Sequence, residues 1–350
     1  MKKTHVRQLS LPIVSFIIPT LNASRYLPQC LRAIRAQNYP QNKIEIIVAD
    51  GGSTDETLTI AKKYKAVIIK NPEVLHEPGK ARASEVATGE ILFFTDADNE
   101  LSSTEWVSGM VRAHMENRHM HILGFLSQTI PPPNWNSFDR YMGYISTDPF
   151  TWFVYRWAST PRTYGNLYTP IKRTTEYAIY KFDPMNHPLL GLSQGFGTMS
   201  GFKRESIGHN DDILSGIKLI KEGLVAYVPS AGIYHYHVSN IGEFLKKYAW
   251  RIRNNFLQKV KGMGIVNRQK YFSPMRKARQ ILFPFYSVSF IFPVLDTIQL
   301  FRLYRDPVVF WHPIACLLLT GLILKEASLY LLGITKTTGT YGIGNTQRED

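Results

Sequence analysis

The chain has 350 residues, with 41 Lys and Arg against 27 Asp and Glu, which gives a formal net charge of +14. This length allows a substantial core and predicts two domains, or one domain with an appendage. The two cysteines, Cys30 and Cys316, lie far apart without metal-ligand spacing, which argues against a disulfide framework or a zinc knuckle. Residues 1–12 are basic but lack the apolar run of a signal peptide, so a short basic tail is expected there.

Strand-like and helix-like patterns alternate through the first hundred residues. Apolar runs at 14–19, 44–49, 66–70 and 91–95 predict strands, and helical patterns separate them, the third beginning at Gly79. Such alternation indicates a mainly parallel sheet sandwiched by helices, in which ligands bind beyond the carboxyl ends of the strands. The first candidates for a site are therefore the residues that follow those strands: Pro19, Thr20, Asp50, Asp96 and Asp98.

The periodicity weakens beyond residue 101. A helix is expected at 104–116 and a strand at 119–126. Residues 131–188 are rich in Pro, Tyr and Trp without a clear period, which predicts a partly irregular insertion or lobe. A helix followed by a strand returns at 214–229.

Basic and apolar residues dominate the C-terminal third. Eleven lysines and arginines lie between Glu243 and Arg279 against one acidic residue. Residues 281–299 and 307–324, which follow, are the most apolar stretches of the chain. This order predicts basic interfacial helices at 241–280, apolar membrane-associated helices at 281–335 and a polar tail at 336–350.

The basic block alone could attract nucleic acid, but no nucleic-acid-binding motif accompanies it, so an anionic membrane surface is the preferred partner. The kind of membrane contact stays open. Asp296 and two prolines make 281–299 a poor span, which leaves re-entrant or interfacial contact as alternatives to spanning. Packing of these helices on the catalytic domain, or on a second subunit of a homo-oligomer, is a further alternative.

Four motifs occur in order along the chain: VSFIIPTLNASRYLPQCLRAI, IVADGGSTDET, GKARASEVATGEILFFTDADNELSS and GFKRESIGHNDDILSGIKLIKEG. Together they resemble the family 2 glycosyltransferases of the GT-A fold, which are inverting nucleotide-sugar transferases. The resemblance covers residues 13–255 except for the irregular insertion, which matches least. It implies a nucleotide-sugar-binding half at 13–100 and an acceptor-side half at 101–240.

The resemblance assigns the donor site to the first half. It implies that Asp50 accepts a hydrogen bond from the nucleotide base, usually uracil, although Asp50-Gly51-Gly52 could also be a plain turn. Lys80 or Arg82 would lie near the nucleotide, with an exposed helix cation as the alternative. The remaining donor-binding candidates lie at the end of the first strand: Pro19, Thr20 and Asn22.

Asp96-Ala97-Asp98 falls on the D-x-D motif of the family. The resemblance implies that the carboxylates of Asp96 and Asp98 flank Mg²⁺ or Mn²⁺ at the donor diphosphate, Asp98 being the typical ligand and Asp96 the residue that contacts the ribose or the sugar. Oxygen ligands suit these ions. His235 or His237 would serve as a further metal or diphosphate ligand, as in related transferases.

The catalytic base is expected in the fourth motif. The family has a Glu-Asp pair before R-L-x-x-x-G, and Lys218-Leu219-x-x-x-Gly223 places that pair at Asp211-Asp212, with Asp212 as the base. Asp stands at 211 where the family has Glu, so helix capping by Asn210 and Asp211 is an alternative. Gln194 would line the acceptor pocket.

The resemblance therefore implies transfer of one sugar from a nucleotide-diphosphate donor, a UDP-sugar being favoured. The acceptor would be a glycan or a polyprenyl-linked carrier at the membrane, with the catalytic domain in the cytoplasm. Residues 247–251 lack the Q-x-x-R-W order of processive synthases, which favours single transfer. The alternatives are a catalytically inactive membrane-anchored scaffold and a nucleotidyltransferase.

Overall fold

The computed structural model describes residues 10–145, 147–189, 194–204, 212–236, 238, 240–253, 257 and 269–334. Its first half alternates strands and helices as the sequence predicts. The elements are β1 Val14–Thr20, α1 Leu27–Arg35, β2 Ile44–Asp50, α2 Thr57–Lys63, β3 Val67–Lys70, α3 His76–Val86, β4 Ile91–Thr95 and β5 Asn99–Leu101.

The sequence pattern predicted that the third helix begins at Gly79. In the structure this helix, α3, begins earlier, at His76. Pro78 lies in the first turn, where its missing N–H has no helical acceptor to lose. Gly79 does not start the helix but permits close packing. A Cβ atom there would lie 2.8 Å from the side-chain nitrogen of Asn71 and 3.3 Å from Cβ of Pro19, so glycine lets α3 approach the end of β1 closely.

The second half contains more helix than the sequence indicated. The predicted helix at 104–116 is α4, Trp106–Met115, and the predicted strand at 119–126 begins later, as β6, Ile122–Ile130. The delay arises because Met120 N–H donates to the Asn117 carbonyl in an intervening turn. The later elements are α5 Ser137–Ile145, α6 Pro149–Tyr155, α7 Tyr164–Leu167, β7 Lys172–Arg173, β8 Ala178–Tyr180, β9 Gln194–Met199, α8 Asp212–Glu222 and β10 Leu224–His235.

The described strands form one sheet in the order β3-β2-β1-β4-β9-β6-β10-β8-β7, with β5 paired to β10. Strands β1 to β4 are parallel where they pair. The sheet becomes mixed beyond β4, because β9 runs antiparallel to both β4 and β6. Helices cover both faces: Phe16 of β1 packs in one apolar cluster with α1 and α4, and Ile17 in another with α3 and α8. The predicted α/β sheet between helix layers is confirmed.

Four further helices complete the described chain: α9 Ile241–Ile252, α10 Pro274–Ser289, α11 Ile291–Tyr304 and α12 Trp311–Leu331. Helices α10 and α11 meet at 93°, at Phe290. The segment Pro307–Leu331 is long and apolar enough to cross a membrane. These helices pack against α5 and α6 in a third apolar cluster, which contains Tyr141, Trp152 and Phe283. The first part of the insertion therefore shares a core with the C-terminal helices.

Candidate active site

Asp50 lies at the end of β2, opposite Thr20 at the end of β1. Its Oδ1 accepts hydrogen bonds from the hydroxyls of Thr20 (3.1 Å) and Ser53 (2.5 Å). Its Oδ2 accepts from the backbone N–H groups of Gly52 and Ser53, both at 2.9 Å. A carboxylate offers about four lone-pair sites, so these four contacts fill it. A further donor to Asp50 would therefore have to displace one of the two hydroxyls, which can rotate away.

Asn22 links the loop after β1 to the loop after β2. Its backbone N–H donates to Ser53 Oγ at 2.9 Å, and its side-chain oxygen accepts from the N–H of Thr54 at 2.8 Å. Its φ of 49° lies in the left-handed region, which Asn tolerates better than most residues. Asn22 thus sets the shape of the two loops, and Pro19 is buried behind them in β1.

Asp96 and Asp98 follow β4 in a turn closed by Asn99. The backbone N–H of Asp96 donates to Oδ1 of Asn99 at 3.3 Å, and Nδ2 of Asn99 donates to Oδ1 of Asp98 at 3.2 Å. The second oxygen of Asp98 lies 3.5 Å from Nε2 of His235, the last residue of β10. Burial opposes the charge on Asp98, but His235 outweighs it and lowers the pKa of that carboxyl. Asp98 in turn raises the pKa of His235 against the effect of burial.

Asp96 contacts a separate group of charges on α3. Its Oδ1 lies 3.6 Å from Nζ of Lys80, which is 1% exposed, and 4.0 Å from Nδ1 of the exposed His76. Lys80 is also 3.3 Å from Oε1 of Glu77, whose other oxygen accepts from Arg204 at 2.5 Å. Burial alone would raise the pKa of Glu77, but Arg204 and Lys80 hold it at about 2. Asp96, Lys80, Glu77 and Arg204 therefore form one buried chain of alternating charges.

Some buried polar atoms of this group of charges have no hydrogen-bond partner among the described residues. Oδ1 of Asp96 and the Nε and Nη1 atoms of Arg204 are buried without a hydrogen-bond partner there. Arg204 stacks over the ring of Phe94, 4.2 Å from its centroid, which fixes the guanidinium below the end of β4. Sequence reasoning missed Glu77 and Arg204. The only signal was the position of Arg204 within a motif that carried the family resemblance.

The two basic candidates on α3 differ in position. Arg82 lies on the surface, 45% exposed, in an ion pair with Glu73 at 2.5 Å. Lys80 lies beside the D-x-D turn. The geometry favours Lys80 as the donor-side cation and the exposed helix cation for Arg82.

The remaining site predictions fall partly outside the described residues. Asp212 is the first residue of α8 and Gln194 the first of β9, but neither side chain is described. The backbone of Gln194 pairs with Thr95, the last residue of β4, which places it beside the D-x-D turn. Asp211 and His237 lie outside the described residues.

The described residues allow a test of the expected metal. No three His, Cys, Asp or Glu side chains converge among them as a metal-binding group. Asp98 and His235 nevertheless lie together at the strand ends. Mg²⁺ is commonly held by one or two carboxylates together with substrate phosphates and waters, so Asp98 fits as the carboxylate of an ion shared with a diphosphate, and His235 would add a nitrogen ligand.

An aromatic group lies beside this pair and was not predicted. The backbone N–H of Tyr236 donates to the Asp98 carbonyl at 3.1 Å. The Tyr26 ring stacks near-parallel to that of Tyr236 at 6.0 Å, and Trp135 meets the same ring edge-on at 5.1 Å. The Tyr236 hydroxyl donates to Glu100 at 2.7 Å. All three rings are half-buried, so part of their surface is open to a ligand.

Comparison with known proteins gives matches over part of the chain. It is 34% identical to the glycosyltransferase AglE of Haloferax volcanii over 95 residues, which cover 25% of this chain and 31% of AglE. It is 34% identical over 94 residues to TarS of Staphylococcus aureus, a poly(ribitol-phosphate) beta-N-acetylglucosaminyltransferase, covering 25% of this chain and 16% of TarS. The matched segments thus span less than a third of either relative.

Two solved structures align over most of the chain at low identity. Mannosyltransferase PcManGT from Pyrobaculum calidifontis, in complex with GDP-Man and Mn²⁺, is 16% identical, with 93% of this chain and 89% of that chain covered and a TM-score of 0.48. The crystal structure of S. aureus TarS 1-349 is 14% identical, with 91% of each chain covered and a TM-score of 0.44.

The family model described as Glycosyl transferase family 2 matches residues 15–209, which include the ends of β1, β2 and β4. Because this match extends over more than half of the 350 residues, the chain belongs to glycosyl transferase family 2.

Proposed function

We propose that the protein is an inverting, metal-dependent transferase that moves one sugar from a nucleotide-diphosphate donor to a membrane-proximal acceptor. The acceptor is a glycan or a polyprenyl-linked carrier. One observation carries the proposal: Asp50, Asp96, Asp98 and Lys80 gather at neighbouring strand ends of the sheet. Such ends are where ligands bind in sheets of this kind.

The donor contacts are divided between two strand ends. Asp50 accepts a hydrogen bond from the base, with a UDP-sugar favoured, after one hydroxyl has rotated away. Lys80 supplies a positive charge toward the diphosphate. Glu77 holds the ammonium in place from behind, at 3.3 Å. Asp96, on the other side of Lys80, is available to a ribose or sugar hydroxyl.

Asp98 and His235 would hold Mg²⁺ or Mn²⁺. Such an ion, when bound, stabilises the charge that develops on the departing diphosphate. The low pKa of Asp98 keeps the carboxylate ionised for this purpose. Ionised Asp98 and neutral His235 are the ligand forms, so binding releases the proton that His235 holds at low pH.

Asp212 is proposed as the base that removes the proton of the acceptor hydroxyl while that oxygen attacks the sugar carbon opposite the diphosphate. Asp211 is the first alternative, and Gln194 would line the acceptor side. This assignment is supported by the motif alone. The position of Asp212 at the start of α8 is compatible with it.

Lys247 supports transfer of a single sugar. It occupies the place of the Gln in the Q-x-x-R-W order of processive synthases. Burial and the nearby Arg251 lower its pKa to about 8, while the charge of Asp98 acts in the opposite direction. A cation there replaces a neutral amide of the processive enzymes.

The acceptor is proposed to lie at an anionic membrane, with the catalytic domain on the cytoplasmic side. Support comes from α12, which is long and apolar enough to cross a membrane, and from the basic residues that precede α10.

The proposal is tested by incubating the full chain with a panel of nucleotide sugars and either Mn²⁺ or EDTA. Slow release of nucleoside diphosphate from one donor, in Mn²⁺ only, is expected because water can replace the acceptor. A parallel incubation with nucleoside triphosphates and sugar 1-phosphates tests the alternative, since release of pyrophosphate there would indicate a nucleotidyltransferase. If no donor is bound or hydrolysed, the inactive scaffold is the better description.

A further inference from the structure

The outer faces of the C-terminal helices expose large apolar side chains. On α10, Ile281, Phe285 and Val288 are 74%, 68% and 62% exposed and share one side of the helix. On α11, Ile291, Phe292 and Leu295 are 67%, 59% and 50% exposed. The opposite sides of both helices are buried against the protein. Helices that are apolar on both sides are not expected at a water-exposed surface, and large exposed apolar patches mark interaction sites. We call these exposed side chains, with those of α12, the apolar face.

The acidic residues of the same segment all turn toward the protein. Asp296 of α11 forms a bidentate ion pair with Arg156, in which each carboxylate oxygen accepts a hydrogen bond from one guanidinium nitrogen at 2.6 Å. Asp306 accepts from Arg140 at 2.5 Å. Glu326 of α12 is 2% exposed and pairs with Arg253 at 2.7 Å. Each arginine comes from an element outside the three helices, so these pairs hold the helices to the domain and remove every negative charge from the apolar face.

The charges left on the outside of this segment are positive. Lys277, Arg302, Arg305 and Lys325 are exposed, and they lie beside or between the apolar side chains. A rim of cations around an apolar surface is complementary to an anionic lipid surface. Two copies of the chain would bring like charges together, so a second subunit fits this surface less well.

The geometry of the helices limits how deeply they can insert. Helix α10 has 16 residues and α11 has 14, which correspond to lengths of about 24 and 21 Å against about 30 Å for a hydrocarbon core. Their 93° angle prevents them from adding into one span. Helix α12 is long enough, but it is tied to the domain at its first residue, where Trp311 donates to Ser137 at 3.0 Å, and again in its second half, where Glu326 pairs with Arg253.

We propose that the apolar face seats the protein in one leaflet of an anionic bilayer, with the α10–α11 bend inserted and no helix crossing to the other side. The proposal deepens the proposed function and rests on it in one respect: an acceptor at the membrane requires the domain to be held there. Of the spanning, re-entrant and interfacial alternatives, the proposal selects contact with one leaflet.

The first test is flotation of the full chain with vesicles of phosphatidylcholine containing 30 mol% phosphatidylglycerol. Phe285→Glu with Phe292→Glu should reduce the floated fraction at least about tenfold, because two charges would have to enter hydrocarbon. The matched control is Leu167→Glu with Ile171→Glu, which alters exposed apolar residues elsewhere (45% and 54% exposed) and should float like the unaltered chain. Lys277→Gln with Arg302→Gln should weaken flotation at low salt only, since electrostatic attraction is screened.

The second test determines on which side of the membrane three positions lie. The variants Lys277→Cys, Arg302→Cys and Lys325→Cys are each added to sealed vesicles. Both native cysteines are buried and give little background. A membrane-impermeant maleimide should label all three without detergent. Protection of Arg302→Cys or Lys325→Cys until detergent is added would show that a helix crosses, and would overturn the one-leaflet geometry.

Other outcomes are equally decisive. If the Phe285→Glu, Phe292→Glu chain keeps its thermal midpoint and still floats normally, the apolar face is not the membrane contact. If the unaltered chain does not float and sediments as a dimer, a second copy covers the face. Donor hydrolysis is measured separately on the same preparations. If the unaltered chain fails to float but hydrolyses a donor, this inference alone is rejected. If the unaltered chain floats but hydrolyses no donor, the proposed function alone is rejected.

Discussion

Nζ of Lys80 lies 3.6 Å from Oδ1 of Asp96, so a fully buried ammonium meets the first carboxylate of the D-x-D turn. A buried lysine is expected only where it has a charge partner, and here Glu77 provides a second one at 3.3 Å. The arrangement places a cation at the strand ends before any nucleotide arrives.

Lys80→Met should weaken UDP binding roughly 10- to 100-fold, the size of a lost hydrogen bond to a charged group. Isothermal titration with UDP in Mn²⁺ measures this. Arg82→Met is the matched control, because Arg82 lies on the same helix but pairs with Glu73 at the surface. Its UDP affinity should stay within about threefold of the unaltered chain. Equal losses in both variants would contradict the assignment of Lys80.

Asp98→Asn should abolish the effect of Mn²⁺ on UDP binding, because it removes the charged ligand beside His235. Titrations in Mn²⁺ and in EDTA should then give the same affinity. His235→Gln should reduce the difference between the two titrations without abolishing it. Glu73→Gln, a change in an exposed carboxylate, serves as the control. UDP binding by Asp98→Asn that is tight in Mn²⁺ and lost in EDTA would place the metal elsewhere.

Asp212→Asn should leave donor affinity near normal and reduce turnover roughly 10²- to 10⁴-fold, the usual contribution of a general base. Donor affinity is measured by titration and turnover by nucleoside diphosphate release with acceptor present. Asp211→Asn is made in parallel. A large loss of turnover in that variant alone would move the base by one residue.

Acid should destabilise the protein between pH 4.5 and pH 2 through Glu77. Its folded-state pKa of about 2 lies below the ordinary 4.5, so the ionised form stabilises the fold above pH 4.5 and this contribution is lost as the pH falls toward 2. The difference corresponds to roughly 3 kcal/mol. Urea unfolding at pH 7, 4.5 and 3 follows the loss.

Arg204→Met should lower the free energy of unfolding at pH 7 by about 3–5 kcal/mol and flatten the pH dependence, because Glu77 loses its main cation. Arg112→Met is the control, since its partner Glu176 is 51% exposed and the pair should contribute less than about 1 kcal/mol. A variant that unfolds at the same urea concentration as the unaltered chain would show that Glu77 is satisfied by Lys80 alone.

The strands and helices of the first hundred residues were predictable because local patterns suffice there. Each buried strand is a continuous apolar run, and parallel strands bring the residues that follow them to one edge, so Asp50 and the D-x-D turn could be placed without knowing any long-range contact. The position of β9 could not be deduced in this way. It inserts antiparallel between β4 and β6 although it lies about a hundred residues after β4 in the chain.

The charge chain of Asp96, Lys80, Glu77 and Arg204 could not be predicted from the sequence, because it also depends on a long-range contact. Glu77 and Arg204 are separated by 127 positions, and no periodicity relates them. The aromatic insertion was hard to interpret because α6 is buried on nearly every side, which removes the apolar and polar alternation that identifies a surface helix. The sequence analysis treated Asp296 as evidence against a membrane-spanning helix. In the structure its charge is paired with that of Arg156, 140 positions earlier in the chain.

If Asp50 binds the nucleotide base as proposed, the four hydrogen bonds that fill its carboxylate bear on which bases can be distinguished. Two of its donors are rotatable hydroxyls and two are fixed backbone N–H groups. Uracil and guanine each carry a ring N–H that can take the place of a hydroxyl, so the carboxylate exchanges one donor for another. Cytosine and adenine present a ring acceptor at the equivalent edge and would set a lone pair against the carboxylate. Selectivity would then come from rejection of the wrong edge more than from attraction to the right one.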